Sequence, residues 1–196
     1  MRKRHLIAAA AAAIALPIAA ALPAQSHGFI NLPPSRSALC GANAVPWDCG
    51  DIQWEPQSVE GPKGFPGRGP ADGTICAGGD ARWAPLDNPR GGAWPTTRVT
   101  AGQQLTFTWE IEARHSTTNF KYYLTKPGYS ASQPITRSAL DLTPFLTVPY
   151  NGRQPAATTT HTGTLPTGRT GHQVIVAVWE IADTGNAFYS CTDVQF

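Results

Sequence analysis

Two of the five histidines stand where chemistry could start. His27 opens the stretch His27-Gly28-Phe29-Ile30, and His115 sits in Ala113-Arg114-His115-Ser116. A histidine at the first position of a chain offers two nitrogens, its α-amine and its Nδ1, which close a six-membered chelate ring on one metal ion. A second imidazole from another segment adds a third nitrogen. Three nitrogens in a T-shape suit copper, because imidazole and amine take Cu(II) in tetragonal geometry and copper tops the divalent affinity order. Zinc prefers a tetrahedral set with a fourth strong ligand. The amine binds only when unprotonated. Its reference pKa of about 7.7 means that protons compete for it as pH falls well below neutral. A lone histidine more often caps a strand end with one hydrogen bond, and that role is assigned to His161 and His172.

His27 becomes a first residue only if what precedes it is removed. Arg2, Lys3 and Arg4 are followed by an apolar, alanine-rich stretch from Leu6 to Leu22, broken by Pro17. This is the order of a secretory leader. It is shorter than the roughly 20 residues of a spanning helix. Ala24 and Ser26 place small side chains at −3 and −1 of a cut after Ser26; cuts after Ala21 or Ala24 fit the same rule. Residues 1–26 are therefore expected to be a signal peptide and 27–196 one secreted domain, with nothing later able to span a membrane. Removing 26 of the 196 residues leaves 170, ordinary for one compact domain. Three of the 15 Lys and Arg leave with the leader, so 12 face 13 Asp and Glu, a formal charge of −1. That gives no electrostatic reason to expect nucleic acid or an anionic membrane as partner. Four cysteines in a secreted chain suggest two disulfides, and four allow three pairings. Cys40–Cys49 would close a short loop, and Cys76–Cys191 would pin a long loop to the C-terminal segment. This pairing is favoured.

These residues need a frame. Residues 31–95 are punctuated by Gly and Pro with no sustained period, a length of irregular chain that is usually functional or disordered. Its aromatics (Trp47, Trp54, Phe65, Trp83, Trp94) argue against disorder, and short helical turns are expected inside it. Beyond it the pattern turns to β. In residues 104–113, Leu105, Phe107, Trp109, Ile111 and Ala113 share one face, while Thr106, Thr108, Glu110 and Glu112 share the other. His115 follows in the same phase. In 119–125 Phe120, Tyr122 and Leu124 alternate. Residues 172–181 form a continuous apolar run, fit for a central strand, and 186–196 read as a last strand. Short strands between Gly, Pro and Asn turns predict a β-sandwich.

Several stretches, in order, resemble one family: HGFI and PPSR at the start, EPQSVEGPKGFP at 55–66, GPADG at 69–73, ARHSTTNFKYYLTKPG at 113–128, SQPITRSALDLTPF at 132–145, and GHQVIVAVWEIADTGNAFYSCTDVQF at 171–196. Over nearly all of the mature chain the sequence is similar to bacterial lytic polysaccharide monooxygenases of auxiliary activity family 10, the chitin-binding protein type. The resemblance implies an all-β, immunoglobulin/fibronectin III-like sandwich, with a long loop region containing short helical turns between its first strands. It implies one copper ion in a brace made by His27 and His115. Phe188 would stand beside the copper axis, unable to ligate and keeping that side dry, and Ala113 would leave room opposite. Glu60 matches a carboxylate held near the copper. Trp54, Glu55, Glu60, Asp183 and Asn186 would meet the substrate on a flat face. Trp54 stands where close members can carry Tyr. Taken alone, Glu60 would be a solvated loop acid, Phe188 core, and Trp54 a buried loop anchor.

The implied reaction is oxidative cleavage of crystalline chitin at C1, using an external electron donor and hydrogen peroxide or dioxygen, by a protein most simply monomeric. No second carbohydrate-binding domain is recognised in the sequence. Two other classes compete. A non-catalytic chitin-binding module would not need the two histidines. A secreted copper carrier would need no Trp54. A cellulose-active monooxygenase is the near alternative in substrate.

Overall fold

The structure, a computed structural model, describes residues 27–196; the expected leader, 1–26, and its removal lie outside the described residues. Two sheets face each other. The smaller has the order β1–β4–β7, from β1 (His27–Leu32), β4 (Gln104–Ala113) and β7 (Thr158–Thr164). The larger runs β2–β9–β8–β5–β6, from β2 (Glu60–Pro62), β9 (Asn186–Gln195), β8 (His172–Ile181), β5 (Thr117–Leu124) and β6 (Leu146–Pro149). A two-residue strand, β3 (Thr97–Arg98), lies parallel beside β9. The fold is the immunoglobulin/fibronectin-like sandwich that the sequence predicts.

The alternation in β4 does what it should: Phe107, Trp109 and Ile111 are buried between the sheets while Thr106 and Glu112 face solvent. They meet Phe120 and Tyr122 of β5, Ile175, Ala177 and Trp179 of β8, and Phe188 of β9. β8 is apolar from Val174 to Trp179 because both its faces are covered. Val174, Val176 and Val178 point the other way, into a second core with Ile52, Phe65, Ile75, Trp83 and Trp94 from the long loop. The Gly/Pro-rich segment is therefore a folded layer. It contains one short helix, α1 (Arg36–Gly41), capped by Ser35, and three 3-10 turns between residues 50 and 92. Disulfides Cys40–Cys49 and Cys76–Cys191 tie it down, the second to β9.

β7 has no apolar alternation, yet its inward positions are Thr159, His161 and Gly163. A Cβ at Gly163 would lie 2.9 Å from Leu146, so the missing side chain admits β6. His161 belongs to the core: Tyr122 and Tyr150 hydroxyls lie 2.7 and 3.3 Å from its two ring nitrogens, and burial pushes its pKa down to about 4.

Candidate metal centre and its surrounding face

One end of the sandwich collects the chemistry. In the β1–β4 register His27 lies opposite Ala113, with a bulge between His27 and Gly28. His115 follows two residues later, in the turn between β4 and β5. Gly28 is required: a Cβ there would sit 3.0 Å from the Trp179 ring and 3.1 Å from the Glu110 carbonyl. Its N–H donates to Gln57 O at 2.9 Å, which ties the first strand to the long loop.

His115 is held by its neighbours' backbone. The Trp179 indole donates to Thr117 Oγ1 at 2.8 Å, and that hydroxyl donates to His115 O at 2.9 Å. Ala182 N–H donates to Ser116 O at 2.8 Å, which couples this turn to the tip of the β8–β9 hairpin. The ring is nearly buried, and its Nδ1 lies 3.6 Å from an Asp183 carboxylate oxygen. That separation is longer than a hydrogen bond, so the contact is one of proximity. A carboxylate beside the other ring nitrogen is the usual outer partner of a ligating histidine.

Glu60 pairs with Phe188 across β2 and β9, and Asn186 donates to its Oε1 at 2.7 Å. Its position depends on a close backbone crossing, since a Cβ at Gly61 would fall 2.1 Å from Gly78 O. Phe188 is fully buried, 5.2 Å from the Trp179 ring centre. A polar cleft of about 300 Å³ is lined by His27, Glu55, Ser58, Glu60, Arg82 and Asn186, among others. Trp54, at the end of a 3-10 turn, is 74% exposed, the most exposed large apolar side chain among the described residues, so it is no buried anchor. Asp183 is exposed at the hairpin tip.

The arrangement constrains what could hold a metal here. Among the described residues no three or more His, Cys, Asp or Glu side chains group as metal ligands, and no cysteine is free. Two imidazoles need a third donor, which a free His27 amine would provide. An all-nitrogen set of that kind fits copper.

Sequence reasoning missed three contributors. Lys63, three residues after Glu60, donates from its ammonium to Ile181 O and Thr184 O. Glu180 accepts from Gly64 N–H at 3.2 Å and pairs with Lys121 at 3.2 Å. Arg82 lines the cleft and pairs with Asp80. None belongs to a period or a spacing that would have flagged it.

A sandwich of this type with two histidines on neighbouring segments at one end defines a class, and comparison with known proteins gives it a family. Residues 27–194 match the family model described as lytic polysaccharide mono-oxygenase, cellulose-degrading. A solved AA10 lytic polysaccharide monooxygenase from Streptomyces lividans is 60% identical with a TM-score of 0.84, covering 87% of this chain and 100% of that one. A Bacillus amyloliquefaciens CBM33 solved in complex with Cu(I) after photoreduction is 35% identical, with a TM-score of 0.79 over 86% of this chain and 99% of that one. GlcNAc-binding protein A of Shewanella oneidensis is 43% identical over 88% of this chain and 36% of its own length. The chain belongs to the AA10 lytic polysaccharide monooxygenase family. It spans about a third to a half of the length of the curated relatives it matches. Among the described residues no helix is long and apolar enough to cross a membrane.

Proposed function

We propose that this chain is a secreted copper monooxygenase, freed of residues 1–26, that cleaves crystalline chitin by oxidation at C1. The reading is supported by the register that sets His27 opposite Ala113, two residues before His115, and by the cleft that His27 shares with Glu60, the strand partner of Phe188, in a chain that also exposes Trp54. His27 would hold the metal through its α-amine and ring, and His115 through Nε2. Copper held there would supply the activation of hydrogen peroxide, or of dioxygen with two electrons from an external donor and two protons, so that one oxygen atom enters the C1–H bond as a hydroxyl and the other leaves as water. Hydroxylated C1 then expels the O4 of the next sugar, leaving a lactone that hydrolyses to an aldonic acid. No glycosidase-type acid/base pair is needed.

The protein's own residues do the rest. Phe188 presents a ring with no donor atom and excludes water from its side. Ala113, opposite His27 in the register, leaves space on the other. Asn186 fixes Glu60 through one oxygen, which leaves the second for a hydroxyl or co-substrate proton. Trp54 and Glu55 stack on and hydrogen-bond the sugar face, while Asp183 and Asn186 extend that face across the hairpin tip. A rigid flat surface needs little ordering on docking. The GlcNAc-binding name of a relative supports chitin. Cellulose is the second reading, supported by the description of the family model.

Mass spectrometry of soluble products tests the proposal. The chain beginning at His27, copper-loaded and supplied with ascorbate, is expected to release aldonic-acid oligosaccharides from crystalline chitin. A form with one extra residue before His27 should release none. Chitin binding without oxidised products from either form would point to a binding module. Copper binding without chitin binding would point to a carrier, and oxidised products from cellulose alone would move the substrate.

A further inference from the structure

The tip of the β8–β9 hairpin, residues 182–185, carries Asp183, whose carboxylate lies beside His115 Nδ1. An exposed aspartate on a four-residue tip should swing freely, yet the backbone around it is fixed at several points. Lys63 alone supplies three hydrogen bonds to the tip and the strand end before it: its ammonium reaches Ile181 O at 3.2 Å and also Thr184 O, and its backbone N–H reaches Gly185 O at 3.0 Å. These carbonyls bracket Asp183 on both sides. Hydrogen bonds from an ammonium are about twice as strong as neutral ones. The neighbouring Gly64 N–H is held by Glu180, and Ala182 N–H reaches across to Ser116 O, so the tip cannot lift without breaking a charged contact.

We infer that Lys63 is a positioning residue: by clamping the carbonyls on either side of Asp183, it keeps that carboxylate against His115 Nδ1, and so keeps the Nδ1–H tautomer with Nε2 bare. The inference rests on the reading of His115 as a metal ligand, and it adds what prepares that ligand. Lys63 acts through the backbone and touches no reacting atom. Its removal should therefore act only while Asp183 is present.

The test uses the chain beginning at His27 and two readouts. The first is the His115 ring tautomer in the metal-free protein, from ¹⁵N NMR. The second is Cu(II) affinity by competition, with the electron paramagnetic resonance spectrum. Lys63→Met should lose the Nδ1–H bias, bind copper about tenfold more weakly, the low end of outer-partner effects, and shift the spectrum. Asp183→Ala should do the same, and adding Lys63→Met to it should change neither readout further, the non-additivity expected of two residues on one path. Amide spectra establish that the fold is retained; should the methionine variant not fold, Lys63→Gln keeps a neutral donor and tests the same charge. An unchanged tautomer and affinity in Lys63→Met overturns the inference. So does a loss that persists at full size in the Asp183→Ala background. If the parent binds no copper while its tautomer still follows Lys63, the metal reading fails and the positioning role stands.

Discussion

A histidine–aspartate pair lies at each end of the β8–β9 hairpin, one within it and one shared with the β4–β5 turn, and the two could hardly differ more. At the far end, His172 Nε2 lies 2.7 Å from Asp193, whose side chain is completely buried. Arg36 takes both oxygens of the same carboxylate at 2.7 and 3.0 Å, donates to Leu86 O, and stacks over Trp94. Burial alone would raise the Asp193 pKa, but the Arg36 charge and the bonds from His172 and Arg36 bring it below the usual range. At the near end, roughly 30 Å away along the strands, His115 and Asp183 stand 3.6 Å apart with the aspartate half exposed. The tighter pair is the worse candidate for function, because both oxygens of its carboxylate are bound by Arg36, which holds α1 and the long loop to the sheet. The looser pair has its aspartate half exposed, at the end of the sandwich where His27 also lies.

That contrast can be broken from either end. The largest effect is expected at the closed one. Arg36→Met strands a buried carboxylate and should cost about 3–5 kcal/mol, a fall in Tm on the order of 10 °C, with copper affinity unchanged. His115→Ala should reverse the pattern. Thermal stability should hold, while Cu(II) affinity measured by competition drops by more than about 100-fold, beyond the range for outer partners.

Asp87 sharpens the closed end further. It accepts from Cys76 and Ala77 N–H, yet burial pushes its pKa up to about 6. Its folded pKa lies above the unfolded value of about 3.9. Its contribution to stability is therefore present below pH 4 and lost as pH rises through 6, about 2–3 kcal/mol in all. His161 slopes the other way: its lowered pKa means stability is lost as pH falls from about 6.5 towards 4. Asp87→Asn keeps an acceptor but cannot ionise. Denaturant melts across pH 4–7 should show the variant gaining stability with pH more steeply than the parent. The smallest effect belongs to Trp54→Ala, which should change stability by no more than about 0.5 kcal/mol. Pull-down on crystalline chitin should show binding weakened about tenfold.

The legible parts of the chain were those with a period. Residues 104–113, 172–181 and 186–196 declared their strands because apolar side chains alternate or run on there, and they form β4, β8 and β9. β7 was invisible because threonine, histidine and glycine fill its inward positions. β1 and β2 were invisible because they are short, and the long loop that covers one sheet has no period at all. The candidate site was legible only by residue type: His27 and His115 are paired nitrogen donors in the sequence, and the family's stretches drew attention to Glu60 and Phe188. What could not be read were the residues that act through backbone carbonyls. Lys63 shows no charge pattern or spacing, and its partners 118 and more residues away meet it only in the fold.

The proposed metal centre stands or falls with His27 as a first residue. Titrating Cu(II) into two otherwise identical chains, one beginning at His27 and one with a single alanine before it, tests this most directly. The first should bind one ion tightly and the second more than about 100-fold more weakly, as for removal of a ligand rather than an outer partner. Equal affinity for both would mean that the free amine is not a ligand and that the metal centre described for this fold is wrong.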